Sequence, residues 1–312
     1  MRNERIPIYV MTGFLGSGKS VLLARWMKKM PFSDAALIVN EMGEAGLDHA
    51  MLGAAGDTST LLAGACVCCS ALPALNEALE TLLRTRLHRG SARPGMVVIE
   101  TNGLADPSRL IASLNLNALV KERYYVAGTF TAIAAHLAAS TLARFDEARA
   151  QLRGADVVIL THTDIVDRPE MDAARSLIEN YCAGSPILHS ANGTLRLHTV
   201  LALLSRAGKH VERSPAPGVS CSRPTRAHGA MTRFIAMNDV SDRSMLCTRL
   251  HELTSQYGES LLRLKGCVRL INGRLPVIVQ FVQGERYAQI TDAKSSMTGV
   301  KSGLTLIVRS NL

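Results

Sequence analysis

A phosphate-binding loop pattern near the start of the chain constrains the fold more than any other feature. Eight residues follow an apolar segment at 6–11 with the spacing G-x-x-x-x-G-K-S, namely Gly13, Phe14, Leu15, Gly16, Ser17, Gly18, Lys19 and Ser20. The glycines let backbone N–H groups turn toward nucleotide phosphates, while Lys19 supplies a positive charge and Ser20 offers a hydroxyl to Mg²⁺. Apolar residues then recur with helical period. The pattern therefore predicts a strand, a loop and a helix N-terminus that bind a nucleoside triphosphate.

Length, composition and charge narrow the class of protein. With 312 residues the chain is long enough for two domains, and its 47% hydrophobic content is ordinary for a globular protein. No apolar segment reaches transmembrane length and the first residues lack the apolar part of a signal peptide, so we expect a cytoplasmic protein without a membrane partner. The net charge of +9 comes from scattered Lys and Arg, and only 4% of residues are aromatic, so we expect no nucleic-acid partner.

Short apolar segments alternate with helical patterns through the first two-thirds of the chain. Strands are predicted at 6–11, 36–39, 96–99, 124–127, 157–160 and 187–188. Helices are predicted at 20–30, 72–88, 107–115, 141–153 and 170–182. Strands buried on both faces and joined by helices predict an α/β fold of the P-loop NTPase type, with a doubly wound, mostly parallel sheet.

A segment rich in Gly, Pro, Ser and basic residues interrupts this alternation at 207–228. Beyond it the patterns predict a smaller α+β domain, with strands at 233–237, 261–271, 276–283 and 304–309 and a helix at 241–257. Asn272-Gly273 between two of these strands is a strong hairpin signal. We expect a P-loop domain at 1–206, a linker at 207–228 and the α+β domain at 229–312.

A carboxylate and a glycine follow the apolar segment 96–99. Glu100 ends this predicted strand, and Gly103 comes three residues later. Nucleotide switches use such a pair, because the acid holds Mg²⁺ and the glycine N–H can sense the γ-phosphate. A solvated strand end is the alternative reading of Glu100, and the P-loop upstream favours the nucleotide role. We expect Lys19, Ser20, Glu100 and Gly103 to form the catalytic set, with Ser20 and Glu100 at the magnesium ion.

Two further segments follow predicted strands on the edge where α/β sheets bind their ligands. Thr161, His162 and Asp164 follow the strand 157–160 and resemble the N-K-x-D element of GTPases, in which the Asp accepts hydrogen bonds from guanine. Thr161 and His162 replace the Asn and Lys, so guanine selectivity is inferred from Asp164. His162 is either a base-stacking residue or a surface histidine. Ser190 and Ala191 follow the next strand, where GTPases place a base-contacting turn.

Three cysteines in four residues form the second chemical feature. The chain has seven cysteines, an odd number that does not suit a disulfide framework, and Cys66, Cys68 and Cys69 are clustered. Three thiolates can bind one Zn²⁺ and leave a fourth position for water or a carboxylate, for which Glu41 is a candidate. Oxidation of adjacent thiols and burial without chemistry remain alternatives. The other four cysteines, Cys182, Cys221, Cys247 and Cys267, are dispersed and are expected to serve packing.

Taken together, these motifs resemble the CobW-type family of P-loop GTPases, which are nucleotide-dependent metallochaperones. The resemblance covers the segments 12–20, 36–44, 66–69 and 100–107 and, in the smaller domain, 262–266 and 279–283. It implies that Cys66, Cys68 and Cys69 bind zinc or cobalt with Glu41 as a further ligand. It also implies that GTP loading reshapes the metal site and that the carboxy-terminal domain helps to engage a client.

This sequence departs from the family pattern in three places. Thr161-His162 replaces the Asn-Lys of the guanine element, and Thr131 stands where relatives often place an Asp. The predicted linker lacks the histidine-rich stretch that some members use to collect metal, since only His210 and His228 occur there. The last departure argues against a metal-storage role.

The sequence therefore predicts a GTPase metallochaperone that binds GTP, Mg²⁺ and Zn²⁺ (or Co²⁺) and delivers the metal to an apo-metalloprotein. No glutamine is apparent that would orient the attacking water, so we expect slow intrinsic hydrolysis. A zinc- or redox-sensing nucleotide-binding regulator without metal transfer is the first alternative, and a small-molecule or nucleotide kinase the second. The client, the choice among zinc, cobalt and iron, strict selection of GTP over ATP and assembly into a homo-oligomer are left open.

Overall fold

The computed structural model describes residues 5–27, 35–41, 59–63, 72–88, 95–182, 184–207, 230–285, 287–293 and 301–309. These fall into two compact units, one containing the described residues up to 207 and the other those from 230 onward. The predicted linker lies almost entirely outside the described residues, so the predicted domain boundaries stay a prediction. Among the described helices, none combines the length and apolar character needed to cross a membrane.

The first unit is built on a parallel sheet of seven strands in the order β3-β2-β4-β1-β5-β6-β7. The strands are β1 (Ile6–Thr12), β2 (Ala35–Glu41), β3 (Ser59–Ala63), β4 (Met96–Glu100), β5 (Tyr124–Ala134), β6 (Val157–Thr161) and β7 (Ile187–Ser190). Their carboxyl ends share one edge of the sheet, which is where parallel α/β sheets bind ligands. The predicted α/β fold with a mostly parallel sheet is confirmed.

Eight α-helices belong to this unit within the described residues; seven lie between strands of the sheet and the last follows β7. They are α1 (Lys19–Met27), α2 (Leu72–His88), α3 (Pro107–Leu116), α4 (Ala118–Arg123), α5 (Ala138–Arg144), α6 (Asp146–Arg153), α7 (Arg168–Glu179) and α8 (Leu197–Ala207). Local chemistry fixes two of the starts, because Asp106 and Asp167 accept N–H bonds from the first turns of α3 and α7. Proline is the first residue of α3, at Pro107, and the second residue of α7, at Pro169, and it suits the first helical turn.

The core of the first unit fills the space between the sheet and its helices. Ile8, Ile38 and Ile99 on three adjacent strands pack in one cluster with Leu75 and Leu79 of α2, and all five are at most 1% exposed. Burying each such side chain stabilises the fold by about 2 kcal/mol. This packing explains why the β1, β2 and β4 segments contain few polar residues.

A second buried group surrounds Trp26 on α1, whose side chain is 2% exposed. Its indole N–H donates to the carbonyl oxygen of Leu195 over 2.7 Å. Its ring meets the edge of Phe130 of β5 with centroids 6.0 Å apart. These contacts attach α1, and therefore the phosphate-binding loop before it, to the chain that follows β7.

The structure adds the helices α4 and α8, which were not predicted, and differs from the prediction in three further places. The single helix predicted at 141–153 is divided into α5 and α6 by Phe145, whose backbone is extended and whose ring stacks on Phe14 with centroids 4.4 Å apart. The strand predicted at 124–127 continues to Ala134 as β5. β3 was not predicted, because its five residues, S-T-L-L-A, are too short to show a strand period.

The second unit is an antiparallel sheet of five strands in the order β11-β10-β9-β12-β8. They are β8 (Ala230–Ala236), β9 (Leu261–Val268), β10 (Val277–Val282), β11 (Gln289–Asp292) and β12 (Gly303–Arg309), with the helix α9 (Arg243–Tyr257) between β8 and β9. Leu246 and Leu250 of α9 pack on Leu264 and Leu306 of the sheet. The predicted α+β composition is confirmed, and β11 is an additional strand.

Candidate functional site

The predicted phosphate-binding loop joins β1 to α1 at the ligand-binding edge of the sheet. At Gly13 the backbone has φ of 139°, and a Cβ there would lie 2.2 Å from the carbonyl oxygen of Ala132 on β5. Only glycine fits this position, since both the conformation and the space exclude a side chain. The loop then closes through a hydrogen bond from Ser17 N–H to the carbonyl of Phe14, and α1 begins at Lys19.

Lys19 lies inside the loop and is 7% exposed. Its ammonium donates to the carbonyl oxygens of Gly13 and Phe14 over 2.6 and 3.0 Å and to the hydroxyl of Ser17 over 3.3 Å. These contacts hold the charge at the loop, next to the first turn of α1. A helix N-terminus and a lysine together attract phosphate oxygens.

Ser20 and Glu100 meet across the loop. The Ser20 hydroxyl donates to Glu100 Oε1 over 2.8 Å, and Glu100, at the end of β4, is 4% exposed. A hydroxyl oxygen and a carboxylate this close to each other form a hard oxygen donor set of the kind that Mg²⁺ prefers. The two residues therefore fit the predicted magnesium ion, and the structure brings this predicted pair together.

The turn after β4 lies against the phosphate-binding loop. Thr101 N–H donates to the carbonyl of Met11 over 2.9 Å. A Cβ at Gly103 would lie 2.8 Å from the backbone nitrogen of Leu15. The two backbones can approach this closely only because residue 103 is a glycine. Gly103, predicted to sense the γ-phosphate, is thus in contact with the loop that carries Leu15.

The end of β6 is tied to the same loop. Thr161 donates its hydroxyl to the carbonyl of Ser17 over 2.8 Å, and this hydroxyl also lies 3.1 Å from His162 Nδ1. His162 has φ of 56°, a left-handed conformation, and a Cβ added at Gly18 would be only 3.2 Å from its Cε1 atom. The ring of His162 therefore lies over Gly18 and is partly buried, and its stacking on a base stays a prediction.

Asp164 is exposed and faces the turn that follows β7. It accepts the backbone N–H of Asn192 over 2.7 Å, and this hydrogen bond is the main reason that the pKa of its carboxyl is lowered. Ser190 is buried and Ala191 is exposed at this turn. The structure thus brings Asp164 next to the Ser190–Ala191 segment, as a shared base-binding surface requires.

His136 is a neighbour that sequence reasoning missed. It follows β5, and its ring lies 5.2 Å from that of His162 at an angle of 68°. Burial lowers the pKa of both imidazoles, and mutual repulsion lowers that of His136 further, while Asp164 acts in the opposite direction on His162. The available signal was position, because β5, like β6, ends on the ligand-binding edge.

The predicted zinc ligands are only partly within the described residues. Cys66, Cys68 and Cys69 lie outside them, and for Glu41 the structure describes the backbone, as the last residue of β2. Among the described residues no three His, Cys, Asp or Glu side chains form a metal cluster.

Of the dispersed cysteines, Cys182 and Cys267 are buried, which fits packing, whereas Cys247 is exposed and does not. The packing role predicted for Cys247 is therefore wrong, since its position on α9 faces solvent. Cys221 lies outside the described residues.

Comparison with known proteins gives consistent matches. A family model described as "CobW/HypB/UreG, nucleotide-binding domain" matches residues 7–189, from β1 into β7. The zinc chaperone YjiA of Escherichia coli (strain K12) is 32% identical over 273 residues, which cover 84% of this chain and 81% of the relative. The zinc chaperone CobW of a Sinorhizobium species is 26% identical, covering 97% and 92% of the two chains. The zinc-regulated GTPase metalloprotein activator 1 of Schizosaccharomyces pombe is 25% identical, covering 70% and 56%.

Proposed function

The chain belongs to the CobW/HypB/UreG family of P-loop GTPases, and on this basis we propose that it is a GTP-driven zinc chaperone. In this proposal Cys66, Cys68 and Cys69 bind Zn²⁺, with Glu41 as a further ligand, and the metal passes to a client metalloprotein. Co²⁺ is the second metal that this donor set would accept.

We expect the loop between β1 and α1 to bind the nucleotide. Backbone N–H groups of residues 13–18 and the ammonium of Lys19 would hold the phosphates, and Gly103 N–H would contact the γ-phosphate. Ser20 and Glu100 would hold Mg²⁺, which supplies charge neutralisation at the phosphates when bound. Because these groups stabilise charge and orient the nucleotide, no covalent intermediate on the protein is needed.

Guanine recognition is assigned to the surface formed by β6 and β7. Asp164 would accept hydrogen bonds from the base, since its carboxylate is exposed and, like an ordinary aspartate, ionised at neutral pH. His162 lies beside this position, over Gly18, where a flat ring can stack on a base. Ala191 and the backbone around it would contact the base from the other side.

The single observation that carries the zinc assignment is the register of β2, β3 and β4. Glu41 pairs with Ala63 of β3, and the cysteine segment begins three residues after Ala63. On the other side of β2, Val39 pairs with Glu100. The strand that ends in Glu41 therefore lies between the proposed magnesium ligand and the strand that leads to the cysteines.

This register gives a physical basis for coupling. Glu41 is two residues beyond Val39, so standard strand spacings put its Cα about 8 Å from that of Glu100. A change of Glu100 or its surroundings on GTP binding can then alter the end of β2 directly. Coupling of this kind is reciprocal, so zinc binding would also change the relative affinities for GTP and GDP.

The donor set suits a zinc ion that is transferred better than one that stabilises a fold. Structural zinc sites commonly use two separated pairs of ligands, whereas Cys66, Cys68 and Cys69 form one short cluster. A carboxylate such as Glu41 is a harder and more easily exchanged ligand than a thiolate. Loss of that ligand after hydrolysis would weaken the site and release zinc to the client.

The test is a zinc affinity measured by chelator competition with Mg²⁺ and either GDP or a non-hydrolysable GTP analogue bound. We expect the two dissociation constants to differ by about tenfold or more, which is roughly 1.4 kcal/mol of coupling. Glu41→Gln should reduce the difference, and Cys68→Ser should abolish tight binding.

The exposed Cys247 provides a matched control, since Cys247→Ser removes a thiol that lies in the other unit. Its zinc affinity should equal that of the parent. Equal zinc affinities in the two nucleotide states of the parent would contradict the proposal. If zinc also failed to change hydrolysis while the thiols oxidised reversibly, the regulator that senses zinc or redox state would take its place.

A further inference from the structure

Gln151 of α6 is a buried residue that contacts the turn carrying Gly103. Its side chain is 1% exposed, and its Nε2 atom donates to the carbonyl oxygens of Gly103 and Ala105 over 3.0 and 2.9 Å. Both partners can only accept, so the amide must present its NH₂ group to them and both of its hydrogens are used. One side chain therefore holds two peptide groups of the turn.

The turn is also fixed from inside. Leu104 N–H donates to Asn102 Oδ1 over 3.0 Å, and Ala105 N–H donates to the carbonyl of Asn102 over 3.0 Å. Gly103 is the one residue in this turn whose backbone could rotate without a steric penalty. Because Gln151 holds the carbonyl of Gly103, it removes the freedom that the glycine provides.

The helix that carries Gln151 is itself braced on the phosphate-binding loop. Phe145, directly before α6, stacks on Phe14 of the loop. Near the other end of α6, Thr131 of β5 donates its hydroxyl to the carbonyl of Gln151 over 2.9 Å. Thr131 is one of the departures from the family pattern, and its contact fixes the backbone of Gln151. The helix α6 thus connects the loop and the turn, which are the two segments that face the phosphates.

The side-chain amide of Gln151 forms hydrogen bonds with the described residues through its NH₂ group alone. Its Oε1 atom is buried and has no hydrogen-bond partner among them, and the same holds for Asn102 Nδ2. A buried polar atom without a partner lowers stability, so the two bonds that Gln151 donates to the turn are what favour a glutamine at this position.

We propose that Gln151 is a positioning residue for GTP hydrolysis, which acts by fixing the Gly103 backbone in the orientation that contacts the γ-phosphate. This rests on the proposed role of Gly103 and is independent of zinc, so its test uses nucleotides alone. The contacts of the Gln151 amide are with the carbonyls of Gly103 and Ala105, so in this proposal it acts on hydrolysis through the position of Gly103.

The test compares Gln151→Met, which keeps the length and removes both donors, with Gln283→Met, which removes an amide that donates to the carbonyl of Glu259 in the other unit. We expect Gln151→Met to lower kcat about tenfold, the equivalent of about one hydrogen bond, with GDP affinity changed less than about twofold. The affinity for a non-hydrolysable GTP analogue should fall about fivefold. Gln283→Met should leave the ratio of the two affinities as in the parent.

A merely structural glutamine would give a different result. Gln151→Met would then be less stable, but at a temperature where it is folded its kcat and its ratio of GDP to analogue affinity would match the parent, and the proposal would be wrong. If the variant does not fold, the NMR signals of the Gln151 side-chain NH₂ in the parent decide. They should shift when GDP is replaced by the analogue, and unchanged signals would overturn the proposal.

Discussion

Thr161 donates its hydroxyl to the carbonyl oxygen of Ser17 over 2.8 Å and thereby joins the end of β6 to the phosphate-binding loop. Both residues are at most 4% exposed. In this chain a threonine therefore anchors the phosphate-binding loop, at the position where the N-K-x-D pattern has Asn. The same hydroxyl lies 3.1 Å from His162 Nδ1, so one side chain links the phosphate-binding loop to the histidine that we propose stacks on the base.

The first prediction concerns this tether. Thr161→Val keeps the shape of the side chain and leaves the buried Ser17 carbonyl without its donor, so the free energy of unfolding should fall by about 1–3 kcal/mol. GDP affinity should fall about fivefold, because the loop is less well ordered before binding. Urea unfolding and a GDP titration measure the two effects. Thr163→Val, two residues further along in the segment after β6, is the control and should change both by much less.

The second prediction concerns the base. Asp164→Asn replaces an exposed ionised carboxylate, so GDP affinity should fall at least about tenfold, as expected for the loss of hydrogen bonds to a charged group. Xanthosine diphosphate should gain affinity relative to GDP, because the new amide can donate to its additional carbonyl oxygen. Asp172→Asn removes an exposed carboxylate of α7 that lies 3.9 Å from Arg168, and its GDP affinity should equal the parent's. An unchanged GDP affinity of Asp164→Asn would remove this residue from the base site.

The third prediction concerns pH. Burial lowers the pKa of His136 and of His162 below the usual 6.5. In the unfolded chain both imidazoles bind protons at a pH where the folded protein does not, so the free energy of unfolding should decrease as the pH falls from 6.5 toward the lower folded values.

The variant His162→Asn tests this, because Asn tolerates the left-handed backbone at φ of 56°. Urea unfolding at several pH values between 5 and 8.5 should show a smaller acid loss of stability in the variant than in the parent. Above about pH 7.5 the free energies of unfolding of the two proteins should change in parallel, since a histidine is then neutral in both the folded and the unfolded state. Identical curves on the acid side would show that His162 does not contribute.

The fourth prediction concerns the stacked pair Phe14 and Phe145. Phe145 is 4% exposed, so Phe145→Ala should lower the free energy of unfolding by about 3–4 kcal/mol through lost burial and the cavity left behind. GDP affinity should also fall, because Phe14 belongs to the phosphate-binding loop. Leu116→Ala is the control at a side chain that is 82% exposed, and its stability should stay within about 0.5 kcal/mol of the parent.

The central strands and the phosphate-binding loop could be predicted from sequence because their signals are local. A buried parallel strand such as β6 is a continuous apolar run, and the spacing from Gly13 to Ser20 encodes the loop directly. Glu100 was accessible for the same reason, since it ends such a run. β3 and the break at Phe145 were not, because the first depends on pairing with β2 and the second on stacking with a ring far away in sequence.

The site residues that were missed act through neighbours distant in the chain. His136 lies at the site because its ring contacts that of His162, and no spacing in the sequence connects these two residues. Gln151 left a weaker signal, because it shares the buried face of α6 with Ala148 and Leu152 at helical spacing. A polar residue on an apolar helix face needs hydrogen-bond partners. The sequence could therefore have predicted that Gln151 contacts polar groups of the segment on which α6 packs.

Trp26, held by Leu195 and Phe130, is the only tryptophan in the chain. Excitation of indole therefore reports on the first unit alone, and the second unit is silent in that signal. Trp26 is thus an intrinsic fluorophore on the helix that begins at the phosphate-binding loop. The fluorescence of Trp26 can follow unfolding of the first unit, while circular dichroism follows unfolding of the whole chain. A difference between the two unfolding curves would show that the two units unfold independently.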